Sequence, residues 1–308
     1  MHTIEISKIL QLSNPKTSTV FAWIPTVAYH PYLAVNLNPV FKDPDTGRVM
    51  IYQLLIHIDC LKIVYKENIE QSDIPIIKQT VEDFLVGSSL SLDEFTVARI
   101  DYCYNAVVSD EERKWLLPEL QKLPHRRDYQ ERVHDYKTSV YYQSKSRVTQ
   151  FYDKEAERFH KGKLCEDYEV SVLRLEAQIK HEHIKYKKRR KKNWISNRWD
   201  DWVSWDMQRT YLVRSLNNVI YTGDYHTLDS ASAIIRQHIL RPSKQNNLIE
   251  FLQEIHEHGW DKASVKRCYN TNRCYAKELT EMNINPILLP DDSPFPAIKN
   301  PFLPILNL

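Results

Sequence analysis

The chain has 308 residues, enough for about two domains of ordinary size and for a core that folds unaided. Its 42 Lys and Arg against 40 Asp and Glu leave a net charge of +2, so the total selects no partner and the distribution of basic residues must do so. Five cysteines without a C-x-x-C pair exclude a disulfide framework and a zinc knuckle and fit a reducing cytoplasm; the absence of a signal-peptide pattern or a membrane-length apolar run fits a soluble intracellular protein.

Alternation predicts strands at Val20–Ile24 and Tyr32–Phe41, and one long or two short strands over Val49–Tyr65. Asp43–Gly47 is the turn of an antiparallel sheet. It is not a calcium loop, because the twelfth position is Leu54 where a bidentate glutamate is needed. Pro75–Val86 has helical spacing and Gly87 stops it. Thr96–Ala106 is a strand with Arg99, Asp101 and Cys103 on one face and Ile100, Tyr102 and Tyr104 on the other. An aspartate within a strand needs a reason, either an ion pair or metal binding. A helix over Asp110–Leu123, capped by Ser109, precedes the polar segment His125–Lys137.

Ser139–Glu155 predicts a β-hairpin whose second arm ends at Tyr152, with Gln150, Tyr152 and Lys154 sharing one strand face. A cation beside a phenol lowers the cost of forming phenolate, which makes Tyr152 the candidate nucleophile; a packed ring with a wetted hydroxyl is the alternative. Val170–Lys180 is the cleanest strand, Leu173, Leu175, Ala177 and Ile179 facing a core and Arg174, Glu176, Gln178 and Lys180 opposite. If it lies beside Thr96–Ala106, Asp101 and Glu176 come within a few ångströms. Such a pair needs a cation, either a divalent metal or the arginine two residues before each acid.

Every residue of Lys185–Lys192 except Tyr186 is basic: Lys185, Lys187, Lys188, Arg189, Arg190, Lys191 and Lys192. With Tyr186, Trp194, Trp199, Trp202 and Trp205 interleaved, the segment suits nucleic acid, phosphates meeting the cations and bases the rings; at least half of the tryptophans are expected to be packing. From Trp202 to Leu240 the pattern is helical, broken at Thr222–Asp224. Arg241–Lys244 is the expected boundary between a domain 1–240 and a helical domain 241–308. The latter has a helix ended by Gly259, then Lys262–Tyr269 and Arg273–Glu281 joined by N-T-N, a helix-turn-helix-like order in which Arg273 and Lys277 would meet DNA. Pro286–Leu308 is an extended strap or a flexible tail. The fold class expected is α+β: a central antiparallel sheet flanked by helices, with a small helical C-terminal domain.

In order and spacing, A-R-I-D-Y-C-Y-N, S-V-Y-Y-Q-S-K-S-R-V-T-Q-F-Y-D-K-E-A-E and V-L-R-L-E-A-Q-I-K resemble the rolling-circle replication initiators of filamentous phages and small Gram-positive plasmids, over about Tyr32–Tyr186. The resemblance implies that Tyr152, with Lys154, nicks one DNA strand and that Asp101 and Glu176 serve a Mg²⁺ or Mn²⁺ site. Lys154 and Arg174 would hold phosphate oxygens. The expected product is a 5′-phosphotyrosine link with a free 3′ hydroxyl as primer, and the stored phosphodiester energy would allow resealing without ATP, in keeping with the lack of a Gly-rich phosphate loop. Expected partners are origin DNA, duplex and single-stranded, a host helicase and a second copy of the chain, in a bacterial cytoplasm and away from membrane. The initiators with a His-hydrophobic-His metal motif are not matched, because His181-Glu182-His183 has a charged centre and His57-Ile58-Asp59 lacks its second histidine. A non-catalytic DNA- or RNA-binding regulator of the same fold is the alternative.

Overall fold

Thr3–Gln11 alternates apolar and polar side chains and forms strand β1, which pairs antiparallel with both β3 (Val49–Asp59) and β4 (Thr96–Val107). The computed structural model describes the chain apart from 126–130, 134–137, 190–193, 218–219 and 307–308. Between β1 and β2 (Leu33–Lys42) lies helix α1 (Pro15–Val27), where strand pattern had predicted Val20–Ile24 to be extended. The helix wins because Asn14 caps the Lys16 N–H at 3.0 Å and Pro15 opens the first turn. Thr17, Val20 and Trp23, three residues apart, then form the buried stripe. The turn between β2 and β3 is held by Asp43, whose carboxylate accepts from the Asp45 and Thr46 N–H groups at 2.9 Å each.

After β3 the chain bends into the short helix α2 (Cys60–Val64), capped by Asp59, so the second half of Val49–Tyr65 is helical rather than extended. Helix α3 (Asp73–Leu85) and then β4 follow. Ser109 starts α4 (Asp110–Glu119) through a reciprocal capping box with Glu112. Strand β5 (Glu131–Val133) leads to β6 (Ser139–Gln143) and β7 (Arg147–Asp153), the predicted hairpin; most of the polar segment before it lies outside the described residues.

Asp153 ends the hairpin by capping α5 (Lys154–His160), its carboxylate accepting from Ala156 N–H at 3.0 Å. Lys154 is therefore helical and does not continue the strand face of Tyr152. Strand β8 (Val172–Ile179) follows, then α6 (His181–Arg189), α7 (Trp199–Trp202) and α8 (Trp205–Leu216). The C-terminal part contains β9 (Tyr225–His226), α9 (Leu228–His238), α10 (Pro242–His258), α11 (Trp260–Val265), α12 (Tyr269–Glu281), β10 (Ala297–Ile298) and α13 (Leu303–Leu306). N-T-N lies within the first turn of α12 and is not a linker.

The main sheet is antiparallel with the order β2-β3-β1-β4-β8-β7-β6-β5, and helices flank it, an α+β fold. The chain divides into two compact units, each built from separated segments. The first comprises Met1–Tyr104, Lys145–Val148 and Glu176–Tyr211; the second comprises Asn105–Ser144, Thr149–Leu175 and Leu212–Leu308. In the first, Ile4 stands opposite both Ile58 and Ile100, and all three are buried in one apolar row. Each contributes about 1.5–3 kcal/mol on leaving water. Among the described residues no helix is long and apolar enough to cross a membrane.

In the second unit the Pro-rich end is an ordered strap. Ile287, Leu288, Leu289 and Phe302 are buried, and the Phe302 ring meets Phe151 of β7 edge-on at 5.3 Å. Asn285 and Asn300 both donate to the carbonyls of Tyr221 and Gly223, tying strap to turn. Gly223 is required for closeness: a Cβ there would lie 2.3 Å from the Ile284 carbonyl carbon and 2.5 Å from the Asn285 nitrogen. Gly223→Ala should cost about 1–3 kcal/mol or more, read as a lower urea midpoint at unchanged slope, since backbone cannot yield as a side-chain tip can. An unchanged midpoint would contradict this packing.

Candidate active site and nucleic-acid interface

Period-two alternation puts Arg99 and Asp101 on the β4 face opposite Ile100 and Tyr102. Register extends that face across three strands. Glu5 of β1 stands opposite His57 and Arg99, and Thr3 stands opposite Asp59 and Asp101. Arg99 clasps Asp101 through two bonds, Nε to Oδ1 at 2.9 Å and Nη2 to Oδ2 at 2.5 Å, and reaches Glu5 Oε1 at 3.4 Å. Glu5 is held below the usual carboxylate range, first by its hydrogen bond to His57 at 3.5 Å, against the opposing effect of burial.

Asp101 behaves differently. Burial pushes its carboxyl up to about 7, repulsion from Glu176 adds to the rise, and Arg99 only partly opposes it. Glu176 of β8 is itself buried, with its Oε2 3.5 Å from His2 Nδ1. Asp101 and Glu176 are hard oxygen donors of the kind that could hold a divalent cation, and Arg99 and His2 already lie beside them. Among the described residues no three His, Cys, Asp or Glu are gathered to cage an ion, so an ion held here would complete its shell with water or phosphate.

In the second unit, Tyr152 is 7% exposed and two cations approach its ring, Lys154 Nζ at 5.8 Å from the centroid and Arg174 Cζ at 6.0 Å. The capping turn at Asp153 places Lys154 there even though α5 has replaced the strand. Arg174 is 0% exposed and donates from Nε to Asn105 at 2.7 Å. Glu169, also buried, accepts from Arg158 at 2.6 and 2.5 Å and lies 3.5 Å from Lys154 Nζ and 3.9 Å from Arg174 Nη2. Burial alone would raise the Glu169 carboxyl, yet it is held below its ordinary value because Arg158 and Lys154 outweigh that cost. Burial, then repulsion from Arg174, lowers the Lys154 ammonium, while Glu157 at 2.7 Å supports it. Arg113 anchors the end of the hairpin, reaching Asp153 at 3.2 Å and Glu155 at 2.5 Å.

Helix α6 turns His183 and Ile184 inward and leaves Lys185, Lys188 and Arg189 exposed, with Lys187 half-buried. Its last turn is basic, the sign the helix C-terminus favours. Arg190, Lys191 and Lys192 lie outside the described residues. The tryptophans divide: Trp199 and Trp202 are buried, Trp205 is half-buried and Trp194 is exposed. Trp202 and Tyr102 both stack on Tyr211, at 5.9 and 5.5 Å, and His183 Nε2 lies 2.8 Å from the Tyr211 hydroxyl. Tyr186 is 49% exposed among the α6 cations and belongs to the unit that holds Asp101 and Glu176.

The predicted residues thus fall into two groups. Asp101 and Glu176 interact in the first unit; Tyr152, Lys154 and Arg174 gather in the second. Glu5, His57 and Asp59, absent from the expected site, share the face of Asp101. The signal for them was the alternation of β1 set beside I-H-I-D of β3, legible only once β1 is recognised as the strand between β3 and β4.

The structure thus sets a buried Asp101 and a half-buried Arg99 on β4, and a buried Arg174 and Glu176 on β8, ahead of the basic helix α6. Residues 76–197 match a family model that describes the N-terminal part of a phage replication-associated protein. The match contains β4, the hairpin, β8 and α6, and ends before α10–α12. No curated protein matches the chain.

Two outcomes follow from this geometry. Because its folded-state value near 7 exceeds the ordinary 3.8, Asp101 favours folding fully at low pH, and that contribution is lost as pH rises from about 4 through about 7. Asp101→Asn should flatten the fall in stability over that window in metal-free buffer, measured by urea unfolding at stepped pH; an unchanged slope would contradict the assignment. Replacing Lys185, Lys187, Lys188 and Arg189 by Gln should weaken binding to all DNA sequences alike. The slope of log K against log salt should shallow by roughly 0.7–0.9 for each phosphate that is no longer neutralised; a wild-type slope would leave α6 as a solvated face.

Proposed function

We propose that the protein is a rolling-circle replication initiator that nicks one strand of origin DNA, with Tyr152 as nucleophile. The observation that carries this reading is a phenol held against two buried cations, within a stretch that matches a replication-associated family. In the step proposed, the Tyr152 oxygen bonds to phosphorus, the bond from phosphorus to the 3′ oxygen breaks, and the phenol proton passes to the departing 3′ oxygen. The chain retains the 5′ phosphate as a phosphotyrosine ester; reversal reseals the strand without ATP.

Lys154 and Arg174 stabilise negative charge on the attacking oxygen and on the phosphoryl group. Glu169 and Glu157 keep both cations from repelling each other out of place. Asp101 and Glu176 would hold Mg²⁺ or Mn²⁺, which when bound supplies positive charge to a phosphate. Origin duplex, exposed single strand, a host helicase and a second copy of the chain are the partners this reading calls for.

A second reading of the nucleophile has its own support. Tyr152 is nearly buried, whereas Tyr186 is accessible, set among cations, and in the same unit as the two carboxylates. Mapping the peptide linked to nucleotide after incubation with a single-stranded oligonucleotide and Mg²⁺ or Mn²⁺ separates the two. Tyr152→Phe should lower nicking on the order of a thousandfold or more, the scale on which loss of a nucleophile acts, while leaving DNA binding nearly unchanged. Tyr186→Phe should still cut. A label on Tyr186 with an active Tyr152→Phe protein moves the role to α6; no adduct in the wild type leaves a DNA-binding regulator.

A further inference from the structure

Helix α12 is built with one fixed face and one open face. Asn272, Ala276 and Leu279 are buried, and the Tyr275 ring meets Phe251 of α10 edge-on at 5.5 Å. Phe251 also meets Trp260 of α11 at 5.8 Å, so one ring joins the three helices. The turn between α11 and α12 is pinned from inside: Asn272 Nδ2 donates to the Ser264 carbonyl at 2.7 Å and to the Arg267 carbonyl at 3.4 Å. Arg267, in that turn, covers the Phe251 ring at 5.5 Å and pairs with Glu254, and Lys266 reaches the same glutamate at 2.9 Å. These two cations serve the helix packing. They are not what the open face presents.

The open face carries Tyr269 at 73% exposure, then Asn270, Arg273 and Lys277, all exposed; Val265, the last residue of α11, is 84% exposed. No acidic residue occurs in Tyr269–Lys277. The nearest acids are engaged, Glu278 with Lys244 at 2.9 Å and Glu281 with Lys277 at 3.6 Å, the latter an exposed pair of little energetic weight. A rigid helix about 10–12 Å across matches the B-DNA major groove, about 12 Å wide. Asn and Arg are the side chains that bond two-fold to adenine and guanine edges. Val265 and Tyr269 supply apolar contact for thymine methyls, and Lys277 a phosphate contact.

We infer that the open face of α12 reads duplex DNA in the major groove, so that Asn270 and Arg273 select the sequence the protein binds. This deepens the initiator reading and rests on the protein acting on DNA; it assigns origin choice to helices outside the family-matched residues. A protein partner is less well served, because two separate apolar side chains in a cationic setting fall far short of the apolar core of a protein interface.

The test uses the full-length protein on a pool of duplexes with a randomised centre of about two helical turns. Wild type should enrich a short motif and bind it more tightly than a scrambled duplex. The double variant Asn270→Ala/Arg273→Ala should lose that preference by roughly 10- to 100-fold while retaining weak, salt-dependent binding. Arg273→Lys keeps the charge and the helix, and should lose preference at one base pair with an unchanged salt slope, which covers the case in which the double variant unfolds. Enrichment of no motif by the wild type, or of the same motif at equal affinity by both variants, overturns the inference. Wild type that enriches a motif without nicking a single-stranded oligonucleotide removes the initiator reading and leaves this one standing.

Discussion

Charged side chains withdrawn from water inside a sheet must find counter-charges in the protein, and that requirement governs both strands that carry the candidate chemistry. Breaking such a pair leaves an uncompensated buried charge, at about 3–5 kcal/mol. In β4 and the start of the first unit, Arg99 serves Asp101 and Glu5 together. In the second unit Glu169 serves Arg158, Lys154 and Arg174. In the first unit one arginine lies between two carboxylates, and in the second one carboxylate lies among three cations.

The framework of the fold was readable where period and punctuation agreed. β4, β8 and the hairpin follow their alternation, Ser109 caps α4, Gly87 and Gly259 end their helices, and Asp43–Gly47 turns as its residues require. Short β-rich runs misled where a cap competed with them. Val20–Ile24 is helical because Asn14 and Pro15 open a helix ahead of it, and Lys154 leaves the strand because Asp153 caps α5. Both decisions were made by capping residues ahead of the run.

Of the site, the nearness of Asp101 and Glu176 was legible as matched acids in two strands; Lys154 reaches the Tyr152 ring through the capping turn at Asp153 and not by strand spacing, and the approach of Arg174 to that ring was not read from the sequence. The depth at which they lie was not legible. Alternation suggested a wet polar face for β8, yet Arg174 and Glu176 are buried, Arg174 beside Asn105 and Glu169 and Glu176 beside His2. The contribution of Glu5 and His57 was hidden for a related reason: β1 and β3 are joined by register, and register is a property of the pair of strands. Glu169, the hub of the second unit, lies in a short turn that no periodicity marks.

The central claim is that this chain breaks and holds a phosphodiester. Supercoiled DNA carrying the protein's own coding region, incubated with the full-length chain and Mg²⁺, tests it most directly. The account predicts an open-circular product from which protein cannot be removed by detergent, with a free 3′ hydroxyl that a polymerase extends. Supercoiled DNA left intact while the protein remains bound to it, or a nick from which detergent releases all protein, would contradict it.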